Sequence, residues 1–189
     1  MKVDLTSSNP ALESIFLHPD QVITLDANFL IPPDRSRFAE TRINFDVFKR
    51  IWLEPIFSVF SKLAIHEAVY DELILPSLQD YIRALTPRLI IHRDSTLTAT
   101  EKVIRNAIED KIYPLTRYEP LLDNKDDRGE VKSLSYIAVK GLPYFAVNDS
   151  NVIRLIENAE SWNTGLDNVQ VIRMYELIYY LHKMNQADR

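Results

Sequence analysis

Short apolar runs separated by stretches of helical periodicity constrain the fold of this chain more than any other feature. Five such runs, QVITLD (21–26), the segment 60–65, RLIIH (88–92), PYFAV (143–147) and NVQVI (168–172), read as strands. They are nearly continuous in apolar residues, so they suit strands buried on both faces. Parallel strands need a crossover between them, and the intervening segments supply helices. The alternation therefore predicts an α/β fold, a mainly parallel sheet in a three-layer α/β/α arrangement. At 189 residues and 46% hydrophobic content the chain suits a single domain over 1–189, with enough apolar surface for a substantial core.

The helical segments carry their own punctuation. The pattern from Asn44 to Phe60 is interrupted at Pro55, which lacks an amide hydrogen and predicts a kink or a break. HEAVYDELIL (66–75) is closed by Pro76, and 95–112 is opened by Ser95 or Thr98 as a cap. A loop with two prolines covers 113–127. A helix over about 128–140 then stops at Gly141, as a C-terminal cap requires. Val152, Leu155, Ile156 and Ala159 form the stripe of a further helix, and an amphipathic helix over about 173–185 ends the pattern.

Composition narrows the chemistry. Without cysteine there is no disulfide framework, thiolate zinc site, iron–sulfur cluster or cysteine nucleophile. Gly129, Gly141 and Gly165 stand alone, which excludes glycine-rich phosphate loops and dinucleotide fingerprints. A net charge of −5 argues against a protein that coats nucleic acid by neutralising phosphates, though not against a local basic groove. No apolar stretch approaches the roughly 20 residues of a membrane span, so the reading is a soluble, cytoplasmic protein with no membrane partner.

Carboxylates remain as the candidate site. In open parallel sheets, ligands gather at the carboxyl ends of the strands. Two strands end there in aspartate, at Asp26 and Asp149, and each aspartate is equally suited to capping the next helix. At 100° per residue, Glu72 falls in the apolar sector of its helix, pointing inward, where a salt bridge or a ligand must compensate it. Glu130 lies beside Leu134 and Ile137, while Lys132, Ser133, Tyr136 and Lys140 are expected to turn outward. Asp127 and Glu130 also have the spacing of a capping box. Carboxylates converging on one point repel unless a divalent cation neutralises them, and an all-oxygen site suits Mg²⁺ or Mn²⁺. His18, His66, His92 and His182 are scattered and read as surface or satisfied histidines.

These segments resemble the PIN-domain family, small α/β nucleases that include VapC-type toxin ribonucleases. VITLDANFLI resembles its first motif through Asp26 and Asn28, and IHEAVYDEL its second through Glu72. DRGEVKSLSYIAVKGLPYFAVND resembles its third and fourth segments through Glu130 and Asp149. The order is maintained over about 21–175. The chain departs from the family's pattern in three places. Gly129–Glu130 stand where many members have Asp, with Asp127 as a substitute or assistant. Val147 and Asn148 stand where many carry Ser or Thr. The stretch 83–126 is longer than in compact toxins. The resemblance implies that Asp26, Glu72, Glu130 and Asp149 bind one or two Mg²⁺ or Mn²⁺ ions for endonucleolytic RNA hydrolysis. Asn28 is then expected to orient Asp26 or the attacking water. Arg35, Arg37 and Arg42 either hold substrate phosphates or belong to a solvated loop, and Tyr113, Arg117 and Tyr118 are candidates for stacking bases. The resemblance further implies an RNA substrate and an antitoxin partner. The apolar C-terminal helix, with Tyr175, Tyr179 and Tyr180, suits either a homodimer contact or the core. The alternatives are a catalytically silent PIN-like domain binding RNA or protein, and a phosphatase acting on small phosphoesters. The second lacks the Asp-x-Asp nucleophile motif, because position 28 is Asn.

Overall fold

The computed structural model describes residues 9–32 and 44–184. Arg35, Arg37 and Arg42 lie outside the described residues. The centre is a five-stranded sheet, all parallel, formed by β1 (Ile23–Leu25), β2 (Leu63–His66), β3 (Leu89–His92), β4 (Tyr144–Ala146) and β5 (Gln170–Ile172). Their order in space is β3-β2-β1-β4-β5. The fold is α/β, as the alternation predicts, and the first strand of the chain occupies the middle of the sheet.

Alternation along the strands sends side chains to two apolar cores. Ile23, Leu25, Leu63, Ile65, Tyr144 and Ala146 enter one core with residues of α1 (Pro10–Leu17), α3 (Glu54–Val59), α5 (Pro76–Leu85) and α10 (Met174–Lys183). Phe145, Val147 and Val171 enter the other with α6 (Ala99–Ile112), α7 (Arg128–Lys140) and α8 (Ser150–Glu157). No helix among the described residues is long and apolar enough to cross a membrane.

Several local expectations change. The segment around Pro55 is not cut in two: α2 (Phe45–Phe48) passes through a π-helical turn (Lys49–Leu53) directly into α3. The proline ring collides with a regular preceding turn, and the wider π turn removes that collision. The helix after β2 is shorter than the pattern suggests. α4 spans Glu67–Glu72, and Pro76 opens α5 at its first turn, where the missing amide hydrogen costs nothing. Thr98, not Ser95, caps α6, in a reciprocal capping box with Glu101. Ser133 and Tyr136 do not turn outward; they are 0% and 5% exposed. α7 is covered by the sheet, α4 and α6, so it has no single solvent face, and the Tyr136 ring stacks on His92 at 4.7 Å.

Candidate functional site

Strand order decides where the acids go. β2 and β3 continue from β1 in one direction, β4 and β5 in the other, so the order reverses between β1 and β4. A crevice opens at such a reversal, outside the carboxyl ends of the strands. The Asp26 amide donates to the Ala146 carbonyl (3.0 Å), which carries the β1–β4 pairing to its last residue. Asp26 and Asp149 leave the sheet on either side of this crevice.

Both aspartates cap the elements they begin. Asp149 Oδ1 accepts from the amides of Asn151 (2.7 Å) and Val152 (3.3 Å) at the start of α8. Asp26 Oδ2 accepts from the Asn28 amide (3.3 Å) and the Asn28 side chain (2.9 Å) in a short 3₁₀ turn. Capping and convergence therefore coexist. Asp26 is fully buried, yet its Oδ1 has no hydrogen-bond partner. A buried carboxylate oxygen left unpaired costs about 1–3 kcal/mol or more, so its environment must be read as a place for something else.

Glu72 and Glu130 approach from two helices. α4 runs against α7, and Gly129 is the contact: its amide donates to Glu72 Oε1 at 2.8 Å. A Cβ on residue 129 would lie 2.8 Å from that same oxygen and 3.0 Å from Val69 Cγ2, so any other residue would push the Glu72 carboxylate from this position. No ion pair to Glu72 or Glu130 exists among the described residues; the charges of Arg128 and Lys125 act on Glu72 without pairing with it. Burial raises the Glu72 carboxyl to about 7, helped by the charge of Asp26. Burial and then Asp26, with Glu72 and Asp127 adding smaller repulsions, push Glu130 up well above the ordinary range. Asp26 is raised by burial and by Asp149, against the opposing bonds from Asn28 and Ala27. Asp26, Glu72 and Glu130 thus each respond to the charge of at least one other of the four acids.

Asp127 is otherwise engaged. It does not form a capping box; its backbone is left-handed (φ 55°) and its side chain makes no cap hydrogen bond. Its carboxylate instead accepts from the Arg117 backbone amide (2.9 Å) and guanidinium (2.8 Å to Oδ1). Glu130, without a cation, is the better third acid. The charges of Asp126 and Asp149 also reach Arg117, so this arginine stands at the edge of the acid site. Asn148 is exposed beside Asp149.

Tyr118 is not available for stacking. Its ring is 2% exposed, its hydroxyl donates to Asp123 (3.1 Å), and the Lys132 ammonium lies over it. Its spacing in the 113–127 loop gives no hint of this, because burial there depends on α6 and α7 closing over the loop.

A second group of ionisable side chains sits at the ends of β2 and β3, and sequence spacing did not reveal it. Atoms of His66, Glu67 and Asp94 lie within 4.8 Å of one another, the only such triple of potential ligands among the described residues. The four acids are thus more widely spaced. The triple, however, is already satisfied. His66 Nδ1 accepts from the Ala68 amide (3.1 Å), which leaves Nε2 to carry the proton toward Asp94 Oδ1 (3.3 Å). A neutral imidazole has one lone pair to give, and it is spent on Ala68. Arg105 holds Asp94 at 2.7 Å, and Arg93 faces Glu67 at 3.6 Å. Burial raises the Asp94 carboxyl, but the bonds and charges of His66 and Arg105 outweigh it and hold Asp94 low. Cations pair directly with these acids, whereas among the described residues none forms an ion pair with Glu72 or Glu130.

Comparison of the chain with protein-family models, with curated proteins and with solved structures gives no match in any of the three.

Proposed function

We propose that the chain is a metal-dependent endoribonuclease of PIN-like architecture, in which Asp26, Glu72, Glu130 and Asp149 hold Mg²⁺ or Mn²⁺. The observation that carries this reading is the buried Asp26 carboxylate, with one oxygen fixed by Asn28 and the other unpaired, at the sheet's reversal point and electrostatically coupled to Asp149, Glu72 and Glu130. Oxygen ligands without thiolate or free imidazole suit a hard divalent cation. Bound there, such an ion would supply Lewis-acid stabilisation of charge developing on a phosphoryl oxygen. The chain's own residues set the geometry. Asn28 holds the Asp26 plane, the Gly129 amide fixes one oxygen of Glu72 and leaves Oε2 available, and the cap on α8 fixes Asp149. The raised pKa values of Glu72 and Glu130 mean that these side chains ionise most readily when a cation is present. RNA as the substrate rests on the resemblance of the four motif segments.

The test is cleavage of a defined single-stranded RNA. We expect turnover with Mg²⁺ or Mn²⁺ and none with EDTA. Activity should drop by roughly two orders of magnitude or more in Asp26→Asn and Glu72→Gln, with unchanged circular dichroism, since even residues that only support a metal ligand contribute about 10–100-fold. Equal cleavage by the Asp26→Asn protein would overturn the proposal. Tight RNA binding without turnover in any divalent ion would replace it with the silent domain.

A further inference from the structure

Next to the α8 cap made by Asp149 lies a cleft of about 170 Å³ lined by Leu115, Asn151, Arg154, Leu155 and Trp162. It adjoins the acid site through the backbone: the Asn151 amide that caps Asp149 belongs to a residue of the cleft wall. Asn151, Arg154 and Leu155 have the i, i+3, i+4 spacing that puts side chains on one face of α8. Trp162 closes the cleft from the end of α9 (Ala159–Trp162), and Leu115 does so from the turn after α6.

The chemistry of the lining is specific. Trp162 is 40% exposed, whereas Trp52 is 7% exposed and donates its indole N–H to the Phe29 carbonyl. Among the described residues the Arg154 guanidinium and the Asn151 amide make no hydrogen bond or ion pair, and the Trp162 indole N–H has no acceptor. The cleft thus offers an aromatic face, aliphatic walls, one uncompensated cation and one bifunctional amide. Its volume suits a single ring system. An aromatic face stacks any base, a guanidinium pairs with a phosphate, and an amide reads a base edge.

We infer that this cleft is a subsite for one unstacked nucleobase of the substrate strand, with the base on Trp162, the neighbouring phosphate on Arg154 and the base edge on Asn151. The inference deepens the nuclease reading and rests on it for the identity of the strand. It places the aromatic contact on Trp162, not on the tyrosines of the 113–127 loop, and it positions a phosphate for the acids through the residue shared with the Asp149 cap.

Because Trp52 is buried and hydrogen-bonded, Trp162 fluorescence reports on the cleft. With metal-free protein in EDTA, we expect adenosine 5′-monophosphate to quench emission saturably and ribose 5-phosphate to bind at least roughly tenfold more weakly, as stacking predicts. Arg154→Ala should weaken the nucleotide about tenfold. Trp162→Leu should raise KM for RNA while leaving kcat within about twofold, and Trp162→Phe should restore most of the loss, because it keeps a stacking face. No quenching by the nucleotide, or quenching matched by ribose 5-phosphate, would overturn the subsite, even with metal-dependent RNA cleavage intact. Quenching lost in Arg154→Ala, together with no cleavage under any metal, would support the subsite while the nuclease reading falls.

Discussion

Individual residues separate the proposed metal ligands from their neighbours. Asp127 and Glu130 have the same charge and differ by about one helical turn, but Arg117 pairs with the first and no cation among the described residues pairs with the second. Glu130→Gln should therefore abolish metal-dependent cleavage. Asp127→Asn should retain it within a few-fold, and parallel rate measurements on the two proteins decide the point. Asn28→Ala removes the amide that holds Asp26 Oδ2 and should lower activity by roughly 10–100-fold without unfolding the protein, as expected for a group that orients a metal ligand. Gly129 is the residue with least freedom. Gly129→Ala gains helix propensity worth up to ~1 kcal/mol, yet its methyl must displace the Glu72 carboxylate. A net loss of about 1–2 kcal/mol in urea unfolding is expected, together with loss of any metal-induced rise in melting temperature. A Gly129→Ala protein as stable and as metal-responsive as the parent would show that the close contact is dispensable.

Among the elements, the five strands and the acids at their ends were legible because a buried parallel strand is written as a local apolar run. The inward heading of Glu72 was legible for a similar reason, since one face of the short α4 is turned to α7 and the sheet. α7 was not: covered by the sheet on one side and by α4 and α6 on others, it buries Ser133 and Tyr136, which a two-faced helix would expose. α1 was missed because it is only eight residues long and its start is set by Asn9, whose side-chain amide reaches across to the Val171 carbonyl. α5 was missed because Pro76 was taken as the end of one helix and not also as the start of another. The His66, Glu67 and Asp94 group and the Trp162 cleft depend on pairings between strands or helices far apart in sequence, which no local pattern encodes. Trp162 alone carried a signal, as a large aromatic in the polar stretch AESWNTG, where burial is not expected.

For the molecule as a whole, the clustered acids tie stability to pH and to cations. The folded-state pKa values of Glu72 and Glu130 lie above those of the unfolded chain, so the folded protein binds more protons between those limits. Stability then falls as pH rises through the raised values, about 7 for Glu72. His92, lowered to about 4 by burial and by His66, acts in the opposite sense up to its ordinary value of 6.5. Carboxylates held low by ion pairs, such as Asp94 and Asp127, matter only at acid pH. The window above pH 6.5 therefore belongs to the raised acids. In EDTA the melting temperature should fall by a few °C between about pH 6.5 and 8.5, and Mn²⁺ should reverse the fall and stabilise more at the higher pH. A flat metal-free profile would show that the acids do not share one field. The position of β1 at the sheet centre has a further consequence, for biosynthesis. The chain's first strand waits for β4 before the crevice exists, and synthesis at roughly 5–20 residues per second separates Asp26 from Asp149 by on the order of ten seconds. A nascent chain therefore carries half of the acid cluster on the ribosome without a site, and the complete cluster arises only once most of the protein has been made.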